Sequence, residues 1–380
     1  MKKPPNKPSI LIDASDIDKP SGGRTAVFEL FKEVFRLEPD WRFIILLSRR
    51  EPDFDGFTSV KQIIIPFRNR ILERISIQTV ASFFSLIRKV DLVHFSRTMG
   101  GFAWPAKSVL TIFDLTTLRY PELHSRWAVW YWKYIQPTFI RRADRIIAIS
   151  TYVADNLNHY YNLTREKIKV IYCAPKSIFY HPEHQVSQEI LKKKYSLPEK
   201  YLLFIGILAR KKNLTTLLKA IEILTYQRPD FPPLVIAGRR YPQSDDENSF
   251  NQIKKMGIEP YIRYIGPVLD EELPALYRGA DIFIFPSIDE GFGIPCLEAM
   301  ICGVPVIAAK SGAIPEITGD AAFLLEEPKN AKKLAELIFA LVSDRSCRDR
   351  LITKGKIRGG DFSWTEQALR LTRLYRELLT

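Results

Sequence analysis

Apolar residues fall in short, evenly spaced runs along this chain. Ser9-Ile-Leu-Ile-Asp13 and the stretches 43–47, 62–66, 92–95, 109–113, 145–149 and 169–172 are mostly Ile, Leu, Val and Phe, and helical or loop-like stretches separate them. A continuous apolar run of that length, rather than an alternating one, is what a strand buried on both faces requires. These runs therefore predict a doubly wound α/β sheet. A second series begins at 201–205 and continues at 233–237, 261–265, 281–285 and 304–308. The polar, charged stretch 181–200 between the two series reads as a connector. A first domain over 1–185 and a second over 186–360 follow, with an amphipathic tail over 361–380.

Among the loops between these runs, 285–305 (FPSIDEGFGIPCLEAMICGVP) carries the most chemistry. Pro295 suits the first turn of a helix and Gly303 its end, so a strand, a loop, a helix and a strand are predicted in succession. In parallel sheets ligands bind beyond the carboxyl ends of the strands. There Gly291, Phe292 and Gly293, with Ile294 opening the helix, would aim backbone N–H groups at a phosphate. Glu290 and Glu298 stand at the strand end and near the helix start, so they can hold different hydroxyls of one extended ligand. A nucleotide sugar has hydroxyls at both ends.

Set in GFG and LEAM, this Glu-x7-Glu spacing resembles the retaining, metal-independent glycosyltransferases of the two-Rossmann-domain (GT-B) type. Their large family 4 includes mannosyl-, rhamnosyl- and glucosyltransferase-like members. The resemblance runs through 262–277 (IRYIGPVLDEELPALY), 312–322 (GAIPEITGDAA) and 143–150 (ADRIIAIS), and so covers nearly the whole chain. It implies an acceptor-side domain and a donor-binding domain facing an interdomain cleft, with the last helix crossing back to the first domain. It also implies that Glu298 holds ribose hydroxyls, that Glu290 holds donor-sugar hydroxyls, and that neither metal nor cofactor is needed. In the implied reaction the acceptor hydroxyl attacks the anomeric carbon on the face the nucleotide leaves, and a leaving phosphate oxygen takes its proton.

Other loops complete the expected donor site. Gly206 opens GILARKKN, in which Arg210, Lys211 and Lys212 cluster before a helix with Asn213 as its N-cap, a place for a diphosphate. A solvated basic face is the plain alternative. The resemblance matches Lys212 to the family's lysine, whereas Ile207 stands where an arginine is usual and Arg210 could substitute. As the leaving group forms, Lys212, Arg210 and the loop from Gly291 to Gly293 would stabilise its charge. In the first half, Ser21-Gly22-Gly23-Arg24 lies between a strand and a helix, where Gly22 and Gly23 let the backbone approach phosphates; an ordinary turn would look the same. Ser150 and Thr151 suit either a helix cap or a phosphate contact. Val268, in the loop after 261–265, falls where the family's backbone meets the nucleobase.

One departure concerns Phe113, which occupies the place where many relatives have a histidine beside the transferring sugar. No catalytic histidine is assigned, and His94, His124, His159, His181 and His184 read as structural or surface groups. Asp114 follows, either orienting an acceptor hydroxyl or holding a turn. Asp16-Ile-Asp18 spells the D-x-D of metal-dependent transferases, but two acids in a loop arise easily by chance.

The chain has 380 residues, 46% of them hydrophobic, which is more than one core usually holds and enough for two. Its four cysteines are scattered without metal-ligand spacing, which points to buried thiols in a reducing, cytoplasmic compartment. The basic N-terminus has no apolar run after it, and no run approaches a membrane span. Charge is uneven: residues 1–180 carry 28 Lys and Arg against 17 Asp and Glu, the remainder 28 against 26. The surplus favours an anionic partner on the acceptor side. Two aromatic or apolar and basic segments, 68–89 and 127–142, could lie on an anionic bilayer at the inner face of the cytoplasmic membrane, or simply pack on the sheet.

These features predict transfer from a GDP-, UDP- or dTDP-linked sugar to a saccharide or lipid-diphosphate-linked saccharide, in polysaccharide or glycolipid assembly. A nucleotide-sugar epimerase of similar architecture and a nonenzymatic sugar-nucleotide-binding subunit are the alternatives. Nucleic-acid binding is excluded because no recognition motif accompanies the basic charge. Glycoside hydrolysis is excluded because the two glutamates lie around one helix start rather than across a scissile bond.

Overall fold

The computed structural model describes residues 7–15, 22–65, 90–96, 106–181, 186–240 and 246–380, with backbone alone for 246–249. The chain forms two compact units, Met1–Ala174 with Ser363–Thr380, and Pro175–Phe362. The division thus falls ahead of the expected boundary near 185. Nor is 181–200 a plain connector, because Gln188–Tyr195 is a helix of the second unit. The Ser187 hydroxyl caps it, and Lys194 and Tyr195 both bind the Glu272 carboxylate, at 2.6 and 2.7 Å. Its three consecutive lysines gave it the composition of a linker.

The first unit is built on a seven-stranded parallel sheet in the order β3-β2-β1-β4-β5-β6-β7. The strands are β1 (Ser9–Asp13), β2 (Arg42–Leu47), β3 (Val60–Ile64), β4 (Leu92–Phe95), β5 (Lys107–Ile112), β6 (Arg145–Ala148) and β7 (Ile168–Val170). Its central strands are buried along almost their whole length, which is why they read as unbroken apolar runs. The helix Gly22–Leu37 packs Phe35 against Phe43 and Phe54, and Phe31 against Phe35 and His94. The final helix, Trp364–Leu379, lies on it in the same unit: Thr365 donates to Glu33 at 2.9 Å, Arg376 pairs with Glu38, and the Gln367 side-chain oxygen accepts from the Tyr172 N–H at 2.9 Å.

The second unit has a six-stranded parallel sheet in the order β10-β9-β8-β11-β12-β13. These are β8 (Leu202–Ile205), β9 (Leu234–Ala237), β10 (Ile262–Gly266), β11 (Ile282–Phe285), β12 (Val306–Ala309) and β13 (Ala322–Leu325). Strand β13 was not anticipated, although 321–325 (AAFLL) is itself an apolar run; it is a short, partly exposed edge strand. Leu217, Ile221, Ile236, Ile284, Ile307 and Ile338 form the centre of the core. In each sheet the order reverses once, between β1 and β4 and between β8 and β11. At such a reversal the connections leave to opposite faces and open a crevice beyond the strand ends.

Candidate functional site

Both loops that leave the β8/β11 reversal carry residues singled out from the sequence. After β8 and Gly206 the chain makes a 3-10 turn, Arg210–Lys212, before the helix Leu214–Gln227. After β11 it runs through Pro286 to Glu290 and the glycine loop, into the helix Ile294–Ile301 with Pro295 in its first turn. The Lys212 Nζ donates to Glu290 Oε1 at 2.5 Å, with the two side chains only 15% and 12% exposed. The ammonium also lies 4.8 Å from the Phe285 ring centroid. Burial pushes the Glu290 carboxyl up, but the charges of Lys212 and Lys211 overcome it and hold the group below its ordinary value.

Backbone contacts fix the two loops to each other. The Ile288 N–H donates to the Lys211 carbonyl at 2.8 Å. Asn213 stands at the head of the following helix, but it is not the cap predicted from its type and position. Its backbone is left-handed, at φ 57°, and its side chain makes no capping bond. Instead its Nδ2 donates to the carbonyls of Pro286 (3.0 Å) and Pro328 (2.7 Å), while its Oδ1 accepts from the Thr216 hydroxyl (2.7 Å). From the other side, the Ala313 N–H donates to the Glu290 carbonyl at 2.9 Å and the Ser311 hydroxyl to the Ser287 carbonyl at 2.5 Å.

Two glycines permit this closeness. A Cβ on Gly312, at φ 59°, would fall 2.3 Å from the Glu290 carbonyl oxygen, and one on Gly238, at φ 141°, would fall 1.8 Å from that of Gly206. Gly206 itself faces Lys212, whose Cδ and Cε would lie 3.8 Å from an added Cβ. Gly293 takes φ 105° directly before the helix Ile294–Ile301, where a Cβ would strike Ile314.

Glu298 is buried one turn into that helix, and accepts from the Tyr277 hydroxyl at 3.0 Å. Burial raises its carboxyl to about 7, although Tyr277 and Lys176 favour the ionised form. Tyr277 is itself fully buried against Phe179 and Phe283. Sequence reasoning missed Tyr277, Gly238, Gly312 and the strapping role of Asn213. Gly312 and Tyr277 had a signal, lying in the quoted stretches 312–322 and 262–277. Arg210 is exposed, and Val268 is half-buried beyond β10.

In the first unit Gly22 and Gly23 open the helix Gly22–Leu37, next to the β1/β4 reversal, and a Cβ on Gly22 would meet nothing within 4 Å. The packing of the described residues therefore does not demand glycine at position 22. Asp114 Oδ1 accepts from the Thr116 N–H at 3.2 Å, so the turn role is realised. The Ser150 hydroxyl caps its helix by accepting from Val153 N at 3.1 Å. His94 is enclosed: one ring nitrogen meets the Tyr375 hydroxyl, the other the Thr111 hydroxyl at 2.7 Å, and burial lowers it to about 3. It is a neutral structural group. Phe113 helps line an apolar cavity of about 20 Å³ together with Phe31, His94, Ile149, Cys173 and Trp364.

All four cysteines are free thiols. Among the described residues no three His, Cys, Asp or Glu side chains gather as metal ligands, and no helix is long and apolar enough to cross a membrane. Asp16, Asp18, Ser21 and the segment 68–89 lie outside the described residues.

Comparison with known proteins agrees with this arrangement. The model for glycosyl transferases group 1 matches residues 187–358, and that for glycosyltransferase family 4 matches 21–174. The chain is 29% identical to O-antigen chain mannosyltransferase B of Escherichia coli, over 72% of this chain and 71% of that one. It is 28% identical to a D-inositol 3-phosphate glycosyltransferase of Corynebacterium glutamicum, over 62% of this chain and 57% of the relative. Against the serotype-specific mannosyltransferase WbdA of Escherichia coli the identity is 28%, over 60% of this chain but only 28% of that protein. Among solved structures, sucrose-phosphate synthase from Thermosynechococcus elongatus superposes with a TM-score of 0.79 at 19% identity, over 98% of this chain and 99% of that one. HepE of Anabaena in complex with UDP-glucose gives 0.78 at 18%, over 97% and 99%. Likenesses at that identity establish the fold.

Proposed function

The chain belongs to the family 4 glycosyltransferases of GT-B fold, and from that premise we propose that it transfers a sugar from a nucleoside-diphosphate sugar to a saccharide or lipid-linked saccharide, with retention and without a metal ion. The observation that carries this reading is the partly buried Lys212–Glu290 pair at the β8/β11 reversal. As the anomeric C–O bond breaks, negative charge grows on the departing diphosphate. The Lys212 ammonium, aided by Arg210 and the N-terminal end of the helix Ile294–Ile301, would stabilise that charge where little water competes. Glu290, kept ionised by its lysines, would accept from donor-sugar hydroxyls, and Glu298 from ribose hydroxyls.

The acceptor oxygen bonds to the anomeric carbon on the face the diphosphate leaves, and its proton passes to the departing phosphate oxygen. Phe113 offers no proton acceptor, which suits a mechanism whose base is the leaving group. The family resemblance also gives Asp114 the role of orienting the acceptor hydroxyl, alongside the turn it holds through Thr116. Relatives named as O-antigen and serotype-specific mannosyltransferases favour cell-surface polysaccharide assembly and make a GDP-linked mannose the first donor to try.

The test is transfer by the purified protein in EDTA, with GDP-, UDP- and dTDP-sugars and saccharide acceptors, the product anomer being read by NMR. Retention without metal is expected, with Glu290→Gln slowing transfer while sparing nucleoside diphosphate affinity. Inversion, or activity restored only by Mg²⁺ or Mn²⁺, refutes the mechanism. Conversion of free donor with no acceptor requirement would identify an epimerase, and binding without turnover a nonenzymatic subunit.

A further inference from the structure

The helix Arg126–Tyr134 is unlike every other long helix described in the first unit. None of its residues is buried, and Trp127, Trp130 and Tyr134 stand 79%, 47% and 57% exposed. Spacings of three and four put these rings on one side of the helix. They touch in series, with centroids 6.1 Å apart from Trp127 to Trp130 and 6.0 Å from Trp130 to Tyr134, and so form a continuous aromatic ridge. The ridge is firmly mounted. The Ser125 hydroxyl caps the helix, and the Trp132 carbonyl accepts from the Tyr161 hydroxyl at 3.4 Å.

Its surroundings are basic. Arg126 and Lys133 are exposed on the flank of the ridge, and Arg141 and Arg142 are exposed on the next helix, Gln136–Arg142. Between residues 115 and 142 the chain has five Lys and Arg and a single acid, Glu122. Tryptophan and tyrosine are the side chains that settle at the headgroup level of a bilayer, where an apolar ring and a polar edge are both satisfied. Flanking cations add attraction to anionic headgroups. An apolar protein partner would match aliphatic residues better, and would gain nothing from a rim of one sign.

We propose that the helix Arg126–Tyr134 docks the protein on an anionic lipid surface, with Trp127, Trp130 and Tyr134 seated among the headgroups and Arg126 and Lys133 against their phosphates. This deepens the reading of a lipid-linked acceptor and rests on it for its purpose. The binding assay contains no nucleotide sugar, so its failure and a failure of transfer are read separately.

The experiment is sedimentation of the full chain with phosphatidylglycerol-containing vesicles and with pure phosphatidylcholine vesicles, at low and high salt, while tryptophan emission is followed. Binding to the anionic vesicles alone, weakened by salt and accompanied by a blue shift, is expected. The double substitutions Trp127→Ser with Trp130→Ser, and Arg126→Glu with Lys133→Glu, should each weaken it about tenfold or more. Because all four side chains are exposed, thermal midpoints and transfer to a soluble acceptor should stay as in the wild type. Absence of vesicle binding, equal binding by the variants, or a self-associating wild type that the ridge variants make monomeric would each overturn the proposal.

Discussion

On the proposed reading, lowering the pH from 8 to 6 should weaken binding of an intact nucleotide sugar about tenfold, through Glu298. Burial lifts this carboxyl to about 7, against the smaller opposing pulls of the Tyr277 hydroxyl and the Lys176 ammonium. A group titrating there is roughly nine-tenths ionised one unit above and one-tenth ionised one unit below. Two ribose hydroxyls need an acceptor that donates nothing, which only the ionised carboxylate provides. Affinity should then follow the ionised fraction, a change of about tenfold or about 1.4 kcal/mol. Stability of the unliganded protein runs the other way. The folded-state value lies above the unfolded one, so the contribution is full below the ordinary carboxylate range and is lost as pH rises through about 7.

Calorimetry is the assay, with a nucleoside-diphosphate sugar as titrant. A free nucleoside diphosphate is unsuitable because a terminal phosphate itself titrates, near a pKa of about 6. Glu298→Gln should bind more weakly at pH 8 and lose the pH dependence. Tyr277→Phe removes the hydroxyl that favours the ionised form and should move the midpoint upward. A flat wild-type profile between pH 6 and 8, or a Glu298→Gln variant that keeps the slope, would refute the reasoning.

Gly312→Ala must place a Cβ inside contact distance of the Glu290 backbone at φ 59°; a loss of about 1–3 kcal/mol in urea unfolding is expected, with most of the transfer activity, and an unchanged pair of values would contradict the packing argument. Asn213→Ala leaves the carbonyls of Pro286 and Pro328 without their donor and should cost about 1–3 kcal/mol, whereas Asn213→Asp should cost more by setting a carboxylate oxygen against them. For His94 the folded value is depressed to about 3, so stability is full above the unfolded value near 6.5 and falls as pH drops below it. Unfolding at pH 5 should be easier than at pH 8 by about 2 kcal/mol from this group, and His94→Gln should lose that portion of the slope.

Much of this was legible in the chain because strands buried on both faces leave little choice of residue. Ser9–Asp13 and Leu92–Phe95 begin and end where their apolar runs do. Lys212 and Glu290 were legible for a related reason: each sits in a loop that directly follows such a run, so the strand ends locate it. What stayed hidden depends on contacts distant in sequence. Asn213 occupies a helix-start position by type, yet its amide reaches carbonyls 73 and 115 residues away. Tyr277 finds Glu298 only because two helices meet. Ala322–Leu325 is a different case: its apolar residues are plain in the chain, and it forms a short edge strand left partly exposed. The division after Ala174 has no change of composition to announce it.

Fixing both loops before any ligand arrives changes what the Lys212–Glu290 pair can do. A free lysine side chain holds up to about 2 kcal/mol of rotamer entropy, which a ligand would otherwise have to overcome. Here the ammonium is already confined between the Glu290 carboxylate and the Phe285 ring, and is already largely withdrawn from water. The carboxylate in turn is kept charged by Lys212 and Lys211, so it need not change its protonation when a ligand enters. Breaking the pair by removing one member would strand the other, which is costly in proportion to its burial. A diphosphate bound beside it can instead share the lysine, since an ammonium has three donors and only one is committed to Glu290. Leaving-group stabilisation and sugar orientation would then be coupled through one ion pair, held in place by Asn213 on one side and by Gly312 with Ala313 on the other.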